Sequence, residues 1–210
     1  MENNVVTVAG WVREPGVFSH RVYGEGFYRL VLGVPRLSAA EDLLPVTVSE
    51  RLAAGAALAA GAPLTVTGQL RSYNRFDGER SRLVLTVFAQ RLEQQAAEPL
   101  PNEIFLDGFL CKPPVYRTTP FGREIADLLL AVNRAYRKSD YIPCIVWGRN
   151  ARYAAAQPVG THLRLWGRVQ SRRYTKRRED GVEERMAYEV SAAKLEVGDG
   201  MEPAETEEKS

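Results

Sequence analysis

Three observations predict an all-β chain of two tandem five-stranded barrels. The chain repeats itself at an offset of 98 residues, each copy breaks into short β-branched runs, and each carries one alanine-rich segment at the same place. Val8-Ala9-Gly10-Trp11-Val12 returns as Leu106-Asp107-Gly108-Phe109-Leu110, Leu32-Gly33-Val34-Pro35-Arg36 as Leu130-Ala131-Val132-Asn133-Arg134, and Asp42-Leu43-Leu44-Pro45 as Asp140-Tyr141-Ile142-Pro143. Thr67-Gly68-Gln69-Leu70 returns as Trp166-Gly167-Arg168-Val169 at offset 99, and Ala89-Gln90-Arg91-Leu92-Glu93 as Ala192-Ala193-Lys194-Leu195-Glu196 at offset 103. Five matches in order, with the drift confined to the end, exceed chance.

Within the first copy, Val5 to Val12 is β-branched and partly alternating, and Tyr28 to Val34 and Pro45 to Ser49 are short apolar runs. Leu64 to Arg71 and Leu83 to Leu92 come next, each set off by Gly, Pro or charged turns. Arg51 to Ala60 breaks this pattern: it is rich in alanine and stops at Gly61, which predicts a short helix. Its counterpart is Asn150 to Gln157, stopped by Pro158 and Gly160. Three strands, a short helix and two further strands is the order of the OB-fold, a five-stranded Greek-key barrel. An immunoglobulin-like sandwich wants about seven strands and no helix in the middle. The expected division is residues 1–96, residues 101–197 and a tail at 198–210, with the polar segment Gln94 to Pro101 between the copies.

With 45% hydrophobic and 26% charged residues among 210, the chain has material for two cores and the balance of a soluble globular protein. Its apolar runs are too short to span a bilayer, and MENNVVTVAG lacks the basic start and apolar run of a signal peptide, so a cytoplasmic, membrane-free protein is expected. Cys111 and Cys144 are not spaced as a metal knuckle and lie far from His20 and His162, which argues against zinc and for small buried apolar groups. No common catalytic signature occurs, so no enzyme, metal or cofactor is expected.

The second copy carries the chemistry of a surface for unpaired nucleic acid. Every nucleobase presents a π-face, so exposed rings bind single strands without reading sequence, and unpaired phosphates call for nearby cations. Tyr136 is flanked by Arg134, Arg137 and Lys138; Trp147 is followed by Arg149 and Arg152; Tyr174 sits in the run of Arg172, Arg173, Lys176, Arg177 and Arg178. That run is expected in the long hairpin after the fourth strand; read blandly, it is a solvated, self-repelling charge cluster. Period-two alternation puts Tyr141, Pro143, Ile145 and Trp147 on one face of a strand, and Ile142, Cys144 and Val146 on the other. The small apolar set is expected inside the barrel and the two rings outside. Trp166 fits either core or surface.

Residues 102–197 resemble the bacterial single-stranded DNA-binding protein family, above all in Asp140-Tyr141-Ile142-Pro143-Cys144-Ile145-Val146-Trp147-Gly148 and also in Leu130 to Arg134 and Gly167 to Arg172. The resemblance implies single-stranded DNA binding with little sequence preference, in replication, recombination or repair. It implies stacking by Tyr136, Tyr141, Trp147 and Tyr174, and a homodimer presenting four barrels. RNA binding, and a protein-binding assembly or adaptor role in a replication or conjugation complex, are the alternatives.

By the same offsets the first copy has Ser38, Leu43, Ser49 and Arg75 at those ring positions. Residues 1–98 carry 10 basic and 10 acidic side chains, against 17 and 11 in residues 99–197, so the rings and the positive charge vary together. The first copy is therefore expected to be a structural or oligomerisation barrel, with Tyr23, Phe27, Tyr28, Arg21 and Arg29 in core and interface packing and a residual binding edge as the alternative. The tail GDGMEPAETEEKS is acidic and expected to be disordered. Its end lacks the apolar tip that the family uses to recruit partners, which puts tail-mediated partners in doubt.

Overall fold

The computed structural model describes residues 2–38, 40–76, 78, 81–95, 98–178 and 181–198; the acidic tail beyond lies outside the described residues. In the first half, β1 (Asn4–Val22), β2 (Glu25–Pro35), β3 (Glu41–Ser49), the one-turn α1 (Glu50–Ala53), β4 (Pro63–Phe76) and β5 (Ser81–Glu93) succeed one another. β1 pairs with both β2 and β4, β2 with β3, β4 with β5, and a parallel β3–β5 contact closes the barrel. The second half repeats this plan with β6 (Asn102–Leu110), β7 (Val115–Thr118), β8 (Glu124–Arg134), β9 (Lys138–Trp147), α2 (Arg149–Ala155), β10 (His162–Arg178) and β11 (Gly181–Val197). Its parallel closure joins β9 to β11, so both halves are OB-folds.

Two elements depart from the sequence expectation. The helix over Arg51 to Ala60 shrinks to Glu50–Ala53, because Ser49 caps only that first turn and Gly55 and Gly61 interrupt the remainder of the segment. The first strand runs on past Val12 to Val22 through three register shifts against β2, whereas its counterpart is cut into β6 and β7 around Pro113 and Pro114.

Alternation builds each interior. Leu30, Leu32, Val46, Val48 and Val87 are buried in one barrel, and Leu128, Leu130, Ile142, Cys144, Val146 and Val190 in the other. Each such side chain contributes about 1.5–3 kcal/mol on leaving water. The fourth strand of each barrel bulges at a glycine, Gly68 or Gly167. A Cβ there would stand 2.0 Å from the Phe88 carbonyl oxygen or 2.1 Å from that of Ser191, so only glycine lets the strands close.

The barrels join through their first strands. β1 and β6 pair antiparallel with Val6 opposite Ile104, the same repeat position in both copies, so a pseudo-twofold axis passes between them. Side chains repeat across that axis. The Asn4 amide donates to Leu70 O (2.8 Å) and accepts from Leu70 N (2.9 Å), extending the β1–β4 ladder by one rung after the main chain has turned to the other barrel. Asn102 does the same with Val169, at 2.8 and 2.9 Å. Asp42 of the first barrel accepts from Ser171 N of the second (2.6 Å), and Asp140 of the second accepts from Ser72 N of the first (2.7 Å). Both carboxylates are fully buried, and each faces an arginine: Arg36 at 2.5 Å and Arg134 at 3.3 Å.

Candidate nucleic-acid interface

On β9 the predicted alternation holds. Ile142, Cys144 and Val146 point inward, while Tyr141 is 46% exposed and Trp147 38% exposed. Ile145 shares their face but is covered, at 5% exposure. The two rings stand six positions apart, a spacing of about 20 Å along the strand. The Trp147 indole Nε1–H donates to Ser191 Oγ on β11 (3.2 Å), which fixes the ring plane against the sheet. Gly148 comes next with φ 58°, a left-handed conformation that turns the chain from β9 into α2.

Tyr136 stands apart from the sheet. It occupies a 3-10 turn at Ala135–Arg137, where Tyr136 and Arg137 both have positive φ, 61° and 54°. Two consecutive non-glycine residues in this region cost free energy that surrounding structure must supply. The outcome is a phenol ring 94% exposed, with Arg137 and Lys138 exposed beside it.

Tyr174 and Arg172 share a face of β10 two residues apart, the guanidinium 5.8 Å from the ring centroid. Tyr174 is paired across the hairpin with Arg185, and Arg173 is exposed on the other face. Only the backbone of Lys176, Arg177 and Arg178 is described, as the outer end of β10.

The cations are not equivalent. Arg149 is exposed at the start of α2, while Arg152 donates to Glu124 Oε1 (2.7 Å), which also accepts from the Tyr116 hydroxyl. Those bonds, led by Arg152, hold the Glu124 carboxyl below its usual range, and the same carboxylate raises the Arg152 pKa. Arg134 belongs to the seam through Asp140 rather than to the open platform. Trp166 packs against Phe105, centroids 5.0 Å apart, with the Lys194 ammonium 4.5 Å from its ring. Among the described residues no group of His, Cys, Asp and Glu could hold a metal. Burial pushes the Cys144 thiol far up, so it is an inert core group.

Sequence reasoning missed Phe88 on the equivalent face of the first barrel and read Phe27 as packing. Phe88 on β5 and Phe27 on β2 lie 5.8 Å apart, His20 stacks on Phe27 at 5.2 Å, and Tyr73 accepts from Arg29 (2.9 Å). The offset of 103 for the last strand places Phe88 on Ser191, but the second copy's own ring positions, carried back at offset 98, pass over it.

Residues 101–197 match the model of the single-strand binding protein family. The chain is 39% identical over 80 residues to single-stranded DNA-binding protein 2 of Listeria innocua, across 35% of this chain and 50% of that one. It is 40% identical over 83 residues to single-stranded DNA-binding protein 1 of Staphylococcus aureus, across 35% of this chain and 48% of that one. It thus spans about half the length of the curated relatives it matches. The crystal structure of the wild-type single-stranded DNA binding protein from Thermus aquaticus superposes with a TM-score of 0.74 at 23% identity, over 97% of this chain and 96% of that one. A deletion mutant of the same protein gives 0.75. At that identity the likeness establishes the fold.

Proposed function

We propose, from the premise that residues 101–197 form a domain of the single-strand binding protein family, that the chain binds single-stranded DNA with little sequence preference and makes or breaks no bond in it. The observation that carries this is the outward pair Tyr141 and Trp147 on a strand whose other face, from Ile142 to Val146, is apolar core. Each base stacked on such a ring contributes about 1–3 kcal/mol. Tyr136 and Tyr174 extend the stacking surface, and Arg137, Lys138, Arg149, Arg172 and Arg173 supply phosphate contacts; Lys176, Arg177 and Arg178 lie further along the same hairpin. The setting that suits this activity is replication, recombination or repair in the cytoplasm, by a homodimer that presents four barrels.

The test is a titration with oligo-dT, following tryptophan emission at two salt concentrations. Quenching that Trp147→Phe removes, with log K falling by about 0.7 per phosphate contact against log salt, is the expected result. A chain that binds no oligonucleotide at low salt would make the barrels a protein-binding scaffold instead.

A further inference from the structure

The strand that closes each barrel carries one extra residue, Ala193 on β11 or Gln90 on β5, opposite the glycine bulge of the fourth strand. A bulge re-aims the side chains beside it. The parallel closures align Ser191 with Ile145 and Phe88 with Thr47, so Ser191 and Phe88 hold the same place, two residues before the extra one. What stands there differs between the barrels, and the third strand differs with it. The second barrel has a hydroxyl at this place, Ser191, and a ring on the third strand, Trp147; the first has the ring Phe88 and the hydroxyl of Ser49. Ring and hydroxyl have exchanged places.

In the second barrel β11 holds the turn from β9 into α2 at two points. Ser191 Oγ accepts from the Trp147 Nε1–H (3.2 Å). The carbonyl of Ala193, the bulged residue, accepts from the Asn150 side-chain amide (3.5 Å). The first barrel closes without either contact. Leu52 stands in the place of Asn150 and has no side-chain donor, while Ser49 Oγ accepts from Leu52 N as the cap of α1 (3.4 Å). Phe88 rests instead 5.8 Å from Phe27, with the Arg71 guanidinium 3.6 Å from its centroid. The two tethers therefore accompany Trp147 and are not needed to build a barrel.

An indole N–H donates and accepts nothing. With Trp147 38% exposed, water would satisfy that donor in many orientations of the ring, whereas a hydroxyl fixed in the sheet satisfies it in one. A base that stacks on a ring already held does not bear the cost of ordering it.

We infer that Ser191 is a positioning residue for single-strand binding: its hydroxyl holds the Trp147 indole in the orientation on which a base stacks, and Asn150 steadies the turn that carries the ring and Arg149. The inference rests on the single-strand binding proposed above. It assigns to the bulge of β11 a part in recognition, through the side chain that it aims at the ring.

The experiment uses the full chain with fluorescein-labelled oligo-dT and the variants Ser191→Ala, Ser191→Thr and Trp147→Phe. Ser191→Ala is expected to weaken binding about threefold to tenfold, the cost of ordering one side chain on association, with no measurable change in the thermal midpoint. It should also diminish the part of the near-ultraviolet circular dichroism that Trp147→Phe removes, because a ring free to turn loses its fixed asymmetric surroundings. Ser191→Thr keeps the hydroxyl and restores both signals. In the Trp147→Phe background, where there is no N–H to hold, Ser191→Ala weakens binding no further. Wild-type affinity in Ser191→Ala would overturn the positioning role while leaving the platform standing. So would a loss that persists in the Trp147→Phe background, since Ser191 would then touch the strand directly. A wild-type chain that binds no oligo-dT would overturn both readings.

Discussion

At the same register positions, the two barrels present different outer faces on the same skeleton. The second puts Tyr141 and Trp147 on β9, where Trp147 is held by Ser191, and Tyr174 on β10, and leaves acids on the same sheet: Asp127 paired with Arg117 at 2.6 Å, and Glu189 accepting from Gln170 at 2.7 Å. The first puts its rings on β2, β4 and β5 and has Arg29, Arg71 and Thr86 where those polar partners stand. Summed charge points the other way, since residues 99–197 hold 17 basic and 11 acidic side chains against 10 and 10 in residues 1–98. Much of that excess sits on the hairpin and around the turn at Tyr136 rather than on the sheet. Net charge per domain therefore says little about which face attracts a phosphate, because screening confines each charge to its own neighbourhood of about 10 Å.

The comparison breaks most visibly at the seam. If the pseudo-twofold is real in energy as well as geometry, Asp42→Ala and Asp140→Ala should each destabilise the chain by about 3–5 kcal/mol, since each strands a partly buried arginine. Urea unfolding of the two variants checks this, and a loss confined to one of them would show that a single latch holds the barrels. A smaller effect tests the rings. Giving the second barrel the first barrel's residues, Tyr141→Leu with Trp147→Ser, should cost about 2–5 kcal/mol of oligo-dT affinity at unchanged stability. Fluorescence anisotropy reads the affinity, and wild-type binding by that double variant would dissociate the exposed rings from recognition. The smallest change sharpens the charge argument. Glu189→Thr, the residue of the first barrel, should tighten binding by about 1 kcal/mol or less at low salt and by less still as salt is raised. No gain at low salt would mean the strand avoids that part of the face.

Much of the fold and of the platform is legible in the sequence because it is periodic. Alternation along Ile142 to Trp147 separates core from surface, since one side of a strand must leave water while the other cannot. The short helix after the third strand is visible in the second copy, where Pro158 and Gly160 end it, and overestimated in the first. There, alanine content favours helix although Gly55 interrupts the run. Phe88 escapes notice as a ring of the face because an exchange of ring and hydroxyl between neighbouring strands leaves no trace in a position-by-position comparison.

Sequence alone determined that this chain is two OB barrels with different surfaces, because the repeat, the strand period and the glycine bulges are local constraints that each copy satisfies by itself. Only the tertiary structure decided that Asp42, Asp140 and Arg134, part of the most repetitive motifs, serve the joint between barrels, and that Arg71 and Arg134 meet in one cleft. Arg71 and Arg134 stand 63 positions apart along the chain, and their meeting depends on how β1 lies against β6. A side chain's partner across a seam is set by the packing of whole barrels, which no spacing along the chain encodes.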